Sequence, residues 1–193
     1  MNTPIAYRPG HRISRISRVA RRLPLLTAVL PLLMGLAACA EAPQPLADVD
    51  YSGWRQSTSA VLNFPVPGHG PGLRRIFVND AGFETGLAED GSISYPTGTI
   101  FVKEVYGGPD PAPGADPAML TVMIKAPGDP RSRGGWIWVV RNPESGEETV
   151  FDEEFCVTCH ANANEEHPYG TGNTGERFRD YVFHTPALEA SAP

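Results

Sequence analysis

Cysteine is scarce in this sequence, and basic residues are scarce beyond its first 38 positions. The 193 residues include three cysteines, Cys39, Cys156 and Cys159, which excludes a scaffold of several disulfides. After residue 38, ten basic side chains remain against 22 acidic ones, a formal charge of −12. Because no basic stripe can neutralise phosphates, a nucleic-acid partner is not expected. The 20 glycines and 20 prolines disfavour a helical bundle, so we predict a mainly β (α+β) fold.

The sequence also lacks an apolar run long enough to span a membrane comfortably. The longest run, residues 23–38, contains two prolines and follows six arginines, which is typical of a signal peptide. It ends in LAAC at residues 36–39, which resembles the bacterial lipobox, where cleavage precedes a cysteine that carries lipid. We therefore predict a lipoprotein signal peptide over residues 1–38 and lipidation of Cys39. The protein is then periplasmic and anchored to the bacterial membrane, with the outer membrane as the expected site. The alternative is a soluble periplasmic protein.

A short tether and one folded domain are predicted to follow. Residues 40–50 are small, acidic and proline-containing, so residues 39–50 are expected to be flexible and the domain to span 51–193. A short helix is predicted within 52–62. Apolar alternation and turn residues then predict an antiparallel sheet with four strands, at residues 73–79, 99–106, 120–126 and 136–141.

The strongest chemical motif lies after these strands. Cys156, Val157, Thr158, Cys159 and His160 form C-x-x-C-H, the attachment signal of haem c. On a helical turn, two thiols three residues apart reach the two vinyl groups at one haem edge, and the next residue projects its imidazole beneath the iron. We therefore predict one covalent haem c, with its iron bound axially by His160.

The cysteine pair allows two other interpretations. The thiols could form half of a zinc site completed by His167 and His184, but a second C-x-x-C or a paired histidine motif is missing. They could also form a thioredoxin-type dithiol, which requires a βαβ context that this turn-rich chain does not show. Haem c attachment is the better prediction.

The sequence offers no methionine after His160 as a second axial ligand. Met119 and Met123 lie on a predicted strand, where packing is their expected role. Four other side chains could be the second axial ligand: Lys103, His69, His167 and His184. We expect each of them to lie at the surface instead, either solvated or hydrogen-bonded. We therefore expect an open or weakly held distal position, and iron of that kind binds small ligands.

Several segments, in their order along the chain, resemble the cytochrome P460 family, which includes the β-sheet cytochromes called c′-beta. These are GHG at 68–70, RIFVN at 75–79, PTGTIFVKEVY at 96–106, GGWIWVV at 134–140, the late C-x-x-C-H and DYVF at 180–183. The resemblance covers most of residues 51–186. It implies a small antiparallel β domain with a few short helices, and a homodimer as a candidate assembly.

The resemblance also implies a role for Lys103. In the founding enzymes of the family a lysine of this segment is cross-linked to the haem macrocycle, and Lys103 is at the matching position. Lys103 shares a predicted strand face with Phe101 and Val105, and desolvation there would lower the pKa of the amine and make it nucleophilic. The alternative is a lysine that extends to the surface and pairs with a carboxylate.

The distal pocket departs from the family at one position. The family enzymes use a glutamate as proton acceptor, and Thr121 is at the matching position in this chain. An arginine of the family pocket corresponds to Arg74 or Arg75. Together with Lys103, Thr121 and Arg74 are therefore the candidate catalytic residues.

The resemblance, together with the haem c motif, implies three candidate functions. The first is binding of nitric oxide or a related small nitrogen ligand at an open haem iron. The second is oxidation of hydroxylamine to nitrous oxide, with a cross-link between Lys103 and the haem. The third is simple electron transfer. Each would involve a redox partner that the sequence does not identify.

Replacement of Cys39 by serine tests the predicted membrane anchor. A lipobox thiol carries a diacyl group and the new N-terminus an amide-linked chain, which together exceed the two signals needed for stable anchoring. The variant should accumulate as uncleaved or mislocalised precursor when cell fractions are compared with wild type. Wild-type protein recovered as soluble periplasmic protein, with its N-terminus elsewhere, would contradict the lipid anchor.

Overall fold

The computed structural model describes residues 46–59, 62–64, 69 and 72–189. The predicted signal peptide, Cys39 and most of the predicted tether lie outside these residues. Within the described part, six strands form one antiparallel sheet in which each strand pairs with the next along the chain. The strands are β1 (Arg55–Gln56), β2 (Arg74–Val78), β3 (Ile100–Val105), β4 (Met119–Lys125), β5 (Trp136–Arg141) and β6 (Glu148–Val150).

Short helices complete the described structure. They are α1 (Asp80–Phe83), α2 (Phe155–Ala161) and α3 (Pro186–Glu189), with a 3₁₀ turn at Asn162–Asn164 directly after α2. No helix among the described residues is long and apolar enough to cross a membrane. The prediction of a mainly β fold, with an antiparallel sheet and a few short helices, is confirmed.

The four predicted strands correspond to β2 to β5, but the helix predicted within 52–62 is wrong. Backbone groups of this stretch bond to the neighbouring strand instead: the amide of Ser57 donates to the carbonyl of Ile76 at 2.7 Å. Leu62 forms an antiparallel bridge with Arg74. Pairing along the edge of the sheet therefore overrides the local helical pattern in the described part of this stretch.

Strand register divides the side chains between two faces of the sheet. Ile76 pairs with Lys103, Lys103 with Thr121, and Thr121 with Val140, so these four side chains share one face. We call it the site face. Its buried apolar cluster consists of Val78, Ile93, Tyr95, Phe101, Trp136, Trp138 and Val182, and a second cluster of Ala47, Val102, Leu120, Val122, Ile137 and Val139 covers the opposite face.

The last five residues of the predicted tether lie on that opposite face. Ala47 is 3% exposed and packs in the second cluster, with Leu46 and Val49 beside it. The amides of Leu46 and Ala47 donate to the carboxylate of Glu148 at 2.8 and 2.9 Å. The described part of the predicted tether is therefore packed against the sheet.

Asp180 fastens the C-terminal segment across the site face. It is fully buried, and its carboxylate accepts a hydrogen bond from the amide of Tyr95 at 2.8 Å. The same carboxylate lies 2.6 Å from the ammonium of Lys125 and 3.1 Å from the indole nitrogen of Trp136. Asp180 and Tyr181 both have positive φ, 50° and 67°, so the chain turns sharply here. This turn directs the backbone of Tyr181 towards α2.

Substitution of Asp180 by asparagine should destabilise the fold strongly. The change leaves Lys125, whose side chain is 13% exposed, without its anion, and loss of one partner of a buried pair costs about 3 kcal/mol or more. The free energy of unfolding from urea titration measures the effect. The matched control is Asp80→Asn, which removes an ion pair with Arg55 in which Asp80 is 86% exposed and should change little. Equal stability of the two variants would contradict the anchoring role.

Candidate functional site

Helix α2 carries both thiols and the candidate axial histidine. Cys156 is partly buried against the site-face cluster, whereas Cys159 is exposed, and neither is in a disulfide. Burial raises the pKa of the Cys156 thiol, and the charge of Lys103 opposes that rise. The motif therefore lies on one short helix, as the spacing predicted, and Cys156 on that helix packs against the site face of the sheet.

The imidazole of His160 is held in one orientation. Its Nδ1 lies 2.8 Å from the backbone carbonyl oxygen of Tyr181, which can only accept, so Nδ1 carries the proton. The ring centre of Trp138 is 4.7 Å away and that of Phe183 is 5.8 Å away. Burial, with the charge of Lys103, lowers the pKa of His160 to about 4. The ring is therefore neutral at physiological pH, with Nε2 as the nitrogen that can bind a metal.

Lys103 points into the same region from β3. Its Nζ lies 3.2 Å from Nε2 of His69, and Thr121 is its direct cross-strand neighbour. Burial and the nearby charge of Arg74 lower the pKa of Lys103 to about 7. No described carboxylate forms an ion pair with Lys103, so the alternative of a lysine paired at the surface finds no support in this part of the chain. A large fraction of the amine is neutral near pH 7.

Strand register distinguishes the two candidate arginines. Arg74 pairs with Val105, is 2% exposed and lies on the site face. Arg75 is exposed on the opposite face, where its guanidinium contacts the hydroxyl of Tyr106 at 3.3 Å. The Nη2 of Arg74 donates to the carbonyl of Phe64, but Nε and Nη1 are buried without a hydrogen-bond partner. These two nitrogens of Arg74 can therefore donate hydrogen bonds to an anion or a polar ligand.

His69 is among the candidate ligands expected at the surface, but it lies beside His160. Its ring centre lies 6.3 Å from that of His160, at an interplanar angle of 83°. Its Nδ1 is buried and has no hydrogen-bond partner. Burial, followed by the charges of Lys103, His160 and Arg74, lowers the pKa of His69 to about 3. A second neutral imidazole therefore lies beside the first.

The expectation that the three spare histidines lie at the surface is wrong. His167 is 9% exposed and contacts the ring of Phe183, and the side chain of His184 is 13% exposed. The amide of Tyr169 donates to Nδ1 of His167 at 3.1 Å. Long-range packing of the C-terminal loops buries these rings, and no local sequence pattern reports such packing.

The donor set fits a haem. Cys156 and Cys159 are free thiols on one helical turn, and Nε2 of His160 makes no hydrogen bond to any described residue. The unmatched nitrogens of Arg74 and His69 are the buried polar atoms that a bound group or its ligand could satisfy. These residues are the ones that would hold the group.

The described structure does not support the two other interpretations of the cysteine pair, a zinc site and a thioredoxin-type dithiol. No cluster of three or more histidine, cysteine or acidic residues that could hold a metal ion exists in the described part of the chain. A thioredoxin-type dithiol needs a βαβ unit, whereas all paired strands described here are antiparallel. Met123 packs against the site-face cluster, which is the role expected for it.

An antiparallel sheet followed by a helix with two thiols and an oriented histidine defines a β-sheet haem protein. The family model described as cytochrome P460 matches residues 49–184, more than half of the chain. The chain belongs to the cytochrome P460 family, as its motifs predicted. Membership implies a haem cofactor with its iron. No curated protein matches the sequence.

The lowered pKa of Lys103 predicts a specific dependence of stability on pH. The amine has a pKa of about 7 in the folded protein and 10.5 as its ordinary value. Between these values the unfolded state binds more protons, so the free energy of unfolding should rise with pH through this window. Wild type should gain stability relative to Lys103→Met when urea titrations at pH 6.5 and pH 10 are compared. A difference that stays constant would contradict a buried, free amine.

Proposed function

We propose that the protein is a periplasmic c-type cytochrome that binds nitric oxide or a related small nitrogen ligand. One haem would be bound covalently through Cys156 and Cys159, with His160 as the axial ligand. The observation that carries this proposal is the hydrogen bond from Nδ1 of His160 to the carbonyl of Tyr181, 2.8 Å long, on the helix that bears both thiols. It presents a neutral, oriented imidazole beside two free cysteines.

The residues around His160 define what such a site can do. When bound, the haem supplies an iron centre that binds small ligands. The rings of Trp138 and Phe183 pack against the ring of His160. The hydroxyl of Thr121, beside Lys103, can hydrogen-bond a ligand but cannot accept a proton near neutral pH. At the position of the family's glutamate, this side chain therefore supports binding of a ligand but not removal of its protons.

Oxidation of hydroxylamine to nitrous oxide is the second candidate function. The lowered pKa of Lys103, about 7, favours this activity, because a neutral Lys103 amine is nucleophilic and suited to a cross-link with the haem. Proton removal from hydroxylamine needs a base, and Thr121 is at the position of the family's glutamate. We therefore rank this activity below ligand binding.

The cellular setting is part of the proposal. Lipidation of Cys39 would tether the cytochrome to the membrane, with the outer membrane as the expected site. An unidentified redox partner that exchanges electrons with the haem is part of the proposal, and hydroxylamine oxidation would require one. A homodimer is the candidate assembly. Simple electron transfer is the remaining alternative, in which the iron would not take up an external ligand.

Nitric oxide titration and hydroxylamine turnover separate these functions. Wild-type holoprotein should show a saturable change in its haem absorption with nitric oxide and slow hydroxylamine oxidation with an artificial acceptor. Its ferrous Soret band should match that of an ordinary haem c, because a cross-link to Lys103 would disturb macrocycle conjugation and move the band strongly to the red.

Rapid hydroxylamine oxidation that disappears in Lys103→Ala would reverse the ranking. An absence of any response to nitric oxide in wild type would leave electron transfer as the function.

A further inference from the structure

A cavity of about 510 Å³ lies between α2 and the loop that precedes β5. Its lining includes Val157 and Thr158, the two residues between the thiols of the motif. Tyr181 also lines the cavity, and its backbone carbonyl is the group that orients the imidazole of His160 at 2.8 Å. A molecule in this cavity therefore contacts the segments that carry the thiols and the candidate axial ligand.

Helix geometry places the cavity on a different side of α2 from the thiol and imidazole that would bind the haem. Cys156 and His160 are four residues apart, so they share one side of the helix. Thr158 is two residues from each of them, about 200° around the helix axis. Glu154, four residues before Thr158, lies on the side of Thr158 and also lines the cavity. The cavity thus belongs to the outer side of α2.

Carboxylates dominate the charge of this outer side. Glu154 and Glu165 line the cavity, and their neighbours Glu153 and Glu166 are exposed beside them. None of these four side chains forms an ion pair with a described residue, and Glu154 makes no capping hydrogen bond to α2. Arg133 is the basic residue of the lining, and its Nη1 donates to two backbone carbonyls of its own loop at 3.1 and 2.8 Å. The carboxylates are therefore available to a cationic partner.

The charge of the whole chain selects among possible occupants. The sequence after residue 38 has a formal charge of −12. A second copy of the chain, or an anionic membrane surface, would bring like charges against these carboxylates, which is unfavourable. Encounters between redox proteins bury small interfaces and depend on complementary charge for their rate. A basic redox protein fits both the charge of the cavity and its position beside the thiols.

We propose that this cavity is the docking site of a redox partner with a basic surface, whose lysine or arginine side chains pair with Glu154 and Glu165. Long-range attraction by the acidic chain steers the partner, and the concave surface on α2 sets where it docks. The inference rests on the proposed function for the presence of the haem, and it adds the chemical class and the position of the partner.

Binding of a small lysine-rich cytochrome c to the holoprotein tests this inference. Isothermal titration calorimetry at low ionic strength should show a complex with wild type that is lost as salt is added. The same probe with acetylated lysines has lost those charges and should not bind. When either protein is mixed reduced with the other oxidised, stopped-flow absorption should show one-electron exchange that slows with added salt.

Reversal of two charges separates the cavity from the overall charge of the chain. Glu154→Lys combined with Glu165→Lys should weaken binding about tenfold or more, because like charges would then meet in the complex. The matched control is Glu144→Lys combined with Glu147→Lys, in the turn between β5 and β6, which changes the net charge equally at exposed residues that do not line the cavity. The control should lose much less affinity, and both variants should keep the haem spectrum of wild type.

Three results would overturn this inference while covalent haem and nitric oxide binding persist. They are equal loss of affinity in the two double variants, no binding of the lysine-rich probe to wild type at low ionic strength, and a wild-type dimer that dissociates when the two cavity charges are reversed. The second result needs no variant, so misfolding of a variant does not protect the proposal. A wild type without haem on a stained denaturing gel would overturn the proposed function and this inference together.

Discussion

The site depends on one hydrogen bond, between Nδ1 of His160 and the backbone carbonyl of Tyr181, 2.8 Å long. It selects the tautomer of the imidazole and fixes the direction of its other nitrogen. The carbonyl is in place because Asp180, one residue earlier, is buried against Lys125 and Trp136. A buried ion pair between the C-terminal segment and the sheet thus positions the imidazole of His160 on α2, which couples folding of the domain to the geometry of its site.

The charge of the site follows from strand register. Because side chains alternate along a strand, Lys103 and Arg74 share the site face, while Glu104 and Arg75 lie on the other. The positive charges of Arg74 and Lys103 repel each other, and no described carboxylate pairs with either. Burial and the charge of Arg74 together lower the pKa of Lys103 to about 7. Such a pocket suits an anionic group of the cofactor or a polar ligand, and it contains no described carboxylate that could act as a proton acceptor beside Lys103.

Sequence patterns predicted the parts of the structure that rest on local chemistry. Apolar alternation located β2 to β5, and the C-x-x-C-H spacing located α2. β1 and β6 were missed because strands of two and three residues carry no measurable alternation. The choice between Arg74 and Arg75 required the register of the sheet. The anchor of His160 is a backbone carbonyl, which leaves no sequence signal, and the contact between His69 and His160 joins residues far apart in the sequence, which no local pattern reports.

Peptide mapping of the purified holoprotein by mass spectrometry, with haem staining of the denatured chain, tests the central claim most directly. We expect one haem on the peptide that contains both Cys156 and Cys159. Cys156→Ala combined with Cys159→Ala should abolish the stain, whereas His160→Ala should keep the haem attached and change its absorption spectrum. Unstained wild-type protein from cells competent for haem c maturation, with bound zinc in its place, would contradict the account.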